Sequence, residues 1–138
     1  MKNDGTEAQS IFEARMAAQS QTHVWRARDK KDLMGINRGR KVAAFPLPAD
    51  YTVARQGVLF FAEVKSTSDP DRFSYSQLEP GQRSAAVISA ACGTPYWIFI
   101  YSMLTRRWFQ LSGEQYAADI KAGKKSRRFE ELDACGLM

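Results

Sequence analysis

Residues 49–66 read ADYTVARQGVLFFAEVKS, and this stretch decides the fold. Tyr51 to Arg55 and Val58 to Lys65 have strand composition, and Gln56-Gly57 between them supplies a tight turn. The two runs therefore read as an antiparallel hairpin, 51–55 with 58–65. Side chains alternate along a strand, so Val58, Phe60, Ala62 and Val64 share one face, and Leu59, Phe61, Glu63 and Lys65 share the other. The turn brings the start of the first strand back to the end of the second, which sets Asp50 close to Glu63. Two carboxylates held together repel unless a cation sits between them. Hard oxygen ligands suit Mg²⁺, which keeps several waters and favours phosphate substrates. A lysine on the same face could orient a water there or help deprotonate it. A plainer reading stays open: a Glu63–Lys65 surface ion pair worth about 0–1 kcal/mol, with Asp50 a turn residue after Pro48.

Working outward, Thr6 can cap a helix over roughly 7–20, with Ile11, Phe12, Ala14, Met16 and Ala18 on its apolar side. THVWRAR alternates and predicts a strand at 22–28. Residues 29–39 carry charge, two glycines and an Asn, and read as a projecting, mobile loop. RKVAAF reads as a short strand, stopped by Pro46 and Pro48. After the hairpin, STSDPDRFSYS reads as a polar loop. A helix is expected at about 80–92, with Pro80 in its first turn and Gly93 at its end. TPYWIFIYSM reads as a strand buried on both faces, and RRWFQL as a further strand. SGEQ matches a capping box that opens a helix over 113–122. The order α-β-β-β-α-β-β-α implies a mixed sheet flanked by helices.

The whole composition fits this frame. A chain of 138 residues suffices for one domain, and its 44% hydrophobic and 12% aromatic content is that of a globular protein. No apolar run approaches the roughly 20 residues that span a bilayer. The start MKNDGTEAQS lacks a signal-peptide core, so a cytoplasmic protein is expected. Cys92 and Cys135 show no metal-ligand spacing and read as free thiols, with Cys92 a small buried residue. The one histidine, His23, reads as a partly buried strand residue and argues against a multi-histidine metal site.

Charge is unevenly placed. Between Arg26 and Lys41, seven basic residues (Arg26, Arg28, Lys30, Lys31, Arg38, Arg40, Lys41) face two acidic ones, Asp29 and Asp32. The segment thus carries +5, the formal net charge of the whole chain. Counterion release from phosphates rewards such patches, so a polyanion partner is as good a reading as a solvated face. A second cluster, KAGKKSRR, is followed at once by Glu130, Glu131 and Asp133 and reads as a self-neutralised, solvated face.

Asp50 with Glu63-Val64-Lys65 resembles the PD-(D/E)xK motif of the restriction-endonuclease-like nucleases, with Pro48-Ala49-Asp50 in place of the usual Pro-Asp. The closer resemblance is to the RecU-type Holliday-junction resolvases. Their Asp-Tyr pair, acid-x-Lys, Phe-containing loop and helical Gln correspond here to Asp50-Tyr51, Glu63-x-Lys65, Phe73 with Leu78, and Gln82. Their N-terminal helical Glu corresponds to Glu13, and the match spans roughly residues 10–102. The chain departs from the family at Gly81, where a His is usual, at Ala49, and in a shorter basic stalk near 29–48.

What the resemblance implies is a restriction-endonuclease-like core and a metal-dependent endonuclease cutting branched DNA as a homodimer. Asp50, Glu63 and the Val64 carbonyl would hold Mg²⁺, for which Mn²⁺ could substitute. Glu13 would serve a second ion or its water. Lys65 would position the attacking hydroxide, and Gln82 would orient Lys65 or the water. The basic residues 26–41 would contact DNA. Cutting two strands symmetrically calls for a two-fold dimer, whose expected material is the outer strand near Trp108 and Phe109 together with the first helix. Two other classes stay open: a nuclease of the same fold acting on flap, mismatched or foreign duplex DNA, and a non-catalytic DNA-binding module.

Overall fold

The structure, a computed structural model, describes residues 5–27 and 48–136. Helix α1 (Thr6–Ala17) precedes strands β1 (Thr22–Arg26), β2 (Tyr51–Arg55), β3 (Val58–Thr67) and β4 (Arg72–Ser74). Helix α2 (Pro80–Cys92) leads to β5 (Tyr96–Ser102) and β6 (Trp108–Ser112). Helix α3 (Gly113–Lys121) is followed by β7 (Ser126–Arg128) and β8 (Asp133–Ala134). Six strands form one sheet in the order β1-β2-β3-β5-β6-β8, and β4 pairs with β7 in a separate two-stranded sheet.

The expected hairpin forms. Tyr51 lies opposite Ala62 and Arg55 opposite Val58, with Gln56 and Gly57 at the turn, both at positive φ. β5 runs parallel to β3 because α2 carries the chain back across the sheet, and Lys65 pairs with Ile100. β5 is flanked on both sides and buried on both faces, which is why it reads as a continuous apolar run. Each face of the sheet has its own core. Phe60, Ala62 and Val64 pack with Phe12 and Met16 of α1. Ile98, Ile100 and Phe109 pack with Ala86 of α2, Tyr116 of α3 and Tyr75 beyond β4.

The expected class, a mixed sheet flanked by helices, is what the chain adopts. Several expectations need correction. α1 is capped by Gly5 at φ 80° rather than by Thr6. The stretch 66–76, expected as a polar loop, instead holds the end of β3, which runs on to Thr67, then β4 and the start of a 3-10 turn at Tyr75–Gln77, because Phe73 and Tyr75 are drawn into the core. β7 and β8 are too short to leave a periodic signal. The KAGKKSRR cluster is not simply a solvated face, since Arg127 is engaged with buried Asp119. Cys92 is exposed and Cys135 buried, the reverse of the expectation for Cys92. His23 is exposed on β1, packing edge-on against Trp25. Trp108 and Phe109 are buried within the chain, because β8 adds outside β6. They are therefore not a free outer surface for a second copy. No helix among the described residues is long and apolar enough to cross a membrane.

Candidate active site

The hairpin register and the parallel pairing build the site together. β2 begins at Tyr51 opposite Ala62, so β3 runs on past the start of its partner. The Phe61 N–H donates to the Pro95 carbonyl, so the odd residues 61, 63 and 65 turn their backbone groups toward β5. Val64 turns the other way, toward the edge that β2 leaves open, and its N–H donates to Asp50 Oδ2 at 3.1 Å. A residue in an extended strand points its N–H and C=O to the same side, so the Val64 carbonyl faces that same edge. The Asp50 N–H donates in turn to Glu63 Oε2 at 3.2 Å. The approach to Asp50 is fixed by the Tyr96 hydroxyl, which donates to the Pro48 carbonyl at 2.7 Å.

Glu63 is 1% exposed. Gln82 Nε2 donates to its Oε1 at 2.7 Å, and Lys65 Nζ lies 3.6 Å from the same oxygen. The Gln82 Oε1 meanwhile accepts the Glu79 N–H at 2.9 Å. One side chain thus both closes the first turn of α2 and holds the strand carboxyl. Burial, and then the neighbouring Asp50 carboxylate, push Glu63 up to about 8, with Lys65 pulling the other way. A carboxyl so raised retains a proton at neutral pH unless a cation joins the pair. Tyr96 is also pushed up, first by burial and then by the Glu63 and Asp50 charges.

Asp50, Glu63, Val64, Lys65 and Gln82 are thereby brought together. Glu13 is not joined to them by any hydrogen bond. It accepts from the Tyr51 hydroxyl at 3.0 Å, and Tyr51 packs in the α1 core rather than on the Glu63 face. Among the described residues no three acidic, histidine or cysteine side chains gather as a metal site, so the carboxylate donor set is the Asp50–Glu63 pair. Arg26 ends β1 opposite Tyr51, exposed at the same end of the sheet. Arg28, Lys30, Lys31, Arg38, Arg40 and Lys41 lie outside the described residues. Sequence reasoning did not find the tie between Gln82 and Glu63, because only the parallel crossover brings the start of α2 over β3. The sequence likewise marks Tyr96 only as part of a strand.

No protein-family model matches the chain, and no curated protein sequence matches it. Among solved structures it is similar to Hjc, a Holliday junction resolvase from the archaeal hyperthermophile Archaeoglobus fulgidus, at 14% identity and a TM-score of 0.51. The match covers 79% of this chain and 77% of that one, and it is a likeness of fold.

Proposed function

We propose that the chain is a divalent-cation-dependent DNA endonuclease of the PD-(D/E)xK kind, with four-way junctions as its preferred substrate and a homodimer as its working form. One observation carries the reading: buried Glu63, within β3, is held against Asp50 where β2 begins, with Lys65 and Gln82 on its other oxygen. Burying an acid beside a second acid costs stability and serves no packing purpose. The arrangement therefore has the character of a cation site, and the fold shared with Hjc supports nuclease chemistry for it.

The donor set fits Mg²⁺, or Mn²⁺ in its place: two carboxylates and a strand carbonyl, all hard oxygens. Bound there, the ion would offset phosphate charge and lower the pKa of water. The chain's own residues do the rest. Asp50 and Glu63 present their oxygens at the open edge of β3, with Asp50 kept in place by the Val64 N–H. Gln82 fixes the orientation of the Glu63 carboxyl. The Lys65 ammonium, partly exposed beside Glu63, is placed to meet a phosphate oxygen and to steady the attacking water. Glu13 stands apart on the α1 face, so a second ion is not part of the proposal.

The test is cleavage of labelled four-way, flap and linear DNA with Mg²⁺ and with EDTA. Junction cleavage that needs the ion is expected, and Glu63→Gln and Asp50→Asn should abolish it while keeping or tightening DNA binding. Preferred cutting of flap or linear DNA would move the substrate to another branch of the same chemistry. Wild-type turnover by Glu63→Gln would overturn the site.

A further inference from the structure

β5 runs parallel to β3, so the turn that follows β5 emerges at the same end of the sheet as the Asp50–Glu63 pair. Thr67 lies opposite Ser102, and the Met103 N–H donates to the Thr67 carbonyl at 2.9 Å. The turn, Leu104-Thr105-Arg106-Arg107, is exposed throughout, and Leu104 is 56% exposed with no core of its own to enter. It is nevertheless well fixed. The Arg106 N–H donates to the Ser102 carbonyl at 2.8 Å, and the Ser102 N–H donates to the Arg107 carbonyl at 2.9 Å.

Two features of this turn bear on what it could bind. Arg106 sits at φ 57°, in the left-handed region where glycine is the unstrained choice. The two arginines also straddle the sheet. Arg107 lies over the Phe109 ring, 5.3 Å from its centroid, on the Glu63 face. Arg106 lines a cleft on the α1 face, beside Glu7 and Arg15. Neither forms an ion pair with an acidic side chain among the described residues. Strand spacing and rise put the turn roughly 10–15 Å from Lys65, the scale of a DNA groove of about 12 Å.

We infer that the Leu104–Arg107 turn is a second DNA contact, in which Arg106 and Arg107 hold backbone phosphates about one groove away from the bond at Lys65. The inference rests on the nuclease reading and deepens it. It gives the substrate a direction, across the end of the sheet from Arg26 on β1 to the β5–β6 turn.

Arg106→Gly separates a binding role from a structural one. Glycine relieves the left-handed strain, so the variant should melt at or above the wild-type temperature. It should nevertheless bind DNA several-fold more weakly in EDTA, with the log–log salt slope reduced by about 0.9 for one lost phosphate contact. Arg106→Lys should restore most of the slope. Unchanged affinity and slope in Arg106→Gly would overturn the turn as a contact while leaving the active site untouched. If the wild-type protein binds neither junction nor duplex, the nuclease reading falls and this inference with it.

Discussion

At Glu63 the proposed chemistry and the stability of the fold conflict. Its carboxyl is raised from the usual range to about 8 by burial and by Asp50. In the unfolded chain it titrates near 4.5, so between these values the folded state holds a proton that the unfolded state has lost. Stability without a divalent ion should therefore be greatest below about pH 4.5 as far as this group is concerned. It should fall by a few kcal/mol as pH rises through about 8. Glu63→Gln should remove that slope, and Mg²⁺ should offset it in the wild type by binding only the folded state. Urea unfolding at pH 5, 7 and 9 checks this, and equal slopes in wild type and Glu63→Gln would refute it. Lys65→Ala should abolish cleavage with little change in unfolding free energy at neutral pH, because Lys65 is partly exposed and the raised Glu63 carboxyl holds a proton there and is not left as a stranded charge. A fall in stability as large as a buried-pair loss would recast Lys65 as a structural partner. At this scale much was legible in the sequence. Alternation put Glu63 and Lys65 on one face, and the turn set Asp50 beside them. The Gln82 contact was not legible as geometry, since nothing in local spacing says which helix lies over which strand.

The elements that sequence periodicity revealed are those whose own residues decide their burial: the hairpin, α2 from Pro80 to Cys92, and β5. The elements it missed depend on contacts remote in sequence. β4 and β7 have three residues each and exist because they pair with one another, Phe73 opposite Arg127. Their attachment to α3 is polar. Arg127 meets Asp119 through Nε at 2.6 Å and Nη2 at 3.0 Å, Gln115 Nε2 adds a donor at 3.1 Å, and the Tyr75 hydroxyl donates as well. Asp119 is 2% exposed, so Arg127 cannot leave without stranding a buried charge. Arg127→Ala should cost about 3–5 kcal/mol, and replacing Arg127 and Asp119 together by apolar residues should cost less than either single change. The double-mutant cycle in urea decides it, and additive losses would show that the pair is not coupled. The Arg127 bonds also hold Asp119 down at about 2. Its stabilising effect is present above the ordinary carboxylate range and is lost as pH falls through about 2. Asp119→Asn should accordingly flatten the most acidic part of the stability profile.

At the scale of the whole molecule, the question is how charge is brought to the site. Residues 26–41 carry +5, the formal net charge of the chain. Residues 28–47 lie outside the described residues, but the positions that flank them do not. The Ala27 N–H donates to the Asp50 carbonyl at 2.8 Å, and the Tyr96 hydroxyl holds the Pro48 carbonyl. The described chain therefore breaks off and resumes beside the carboxylate pair. On a four-way junction, phosphates from several strands converge, whereas a linear duplex offers fewer to the same short segment. Replacing Lys30, Lys31, Arg38 and Arg40 together with Ala should weaken junction binding more than duplex binding. Each lost phosphate contact should lower the junction log–log salt slope by about 0.9. The contact proposed for Arg106 differs in kind, because the β5–β6 turn lies on the opposite flank of the site, and it should serve junction and duplex alike. The fourfold variant should thus erode the preference for junctions, while Arg106→Gly lowers both affinities and leaves the preference in place. Binding of both DNAs across a salt series, with cation affinity measured in parallel to confirm an intact Asp50–Glu63 pair, tests the distinction. If the fourfold variant loses junction and duplex affinity equally, the segment is a general phosphate clamp, and selectivity for branched DNA must come from how two copies of the chain are set against each other.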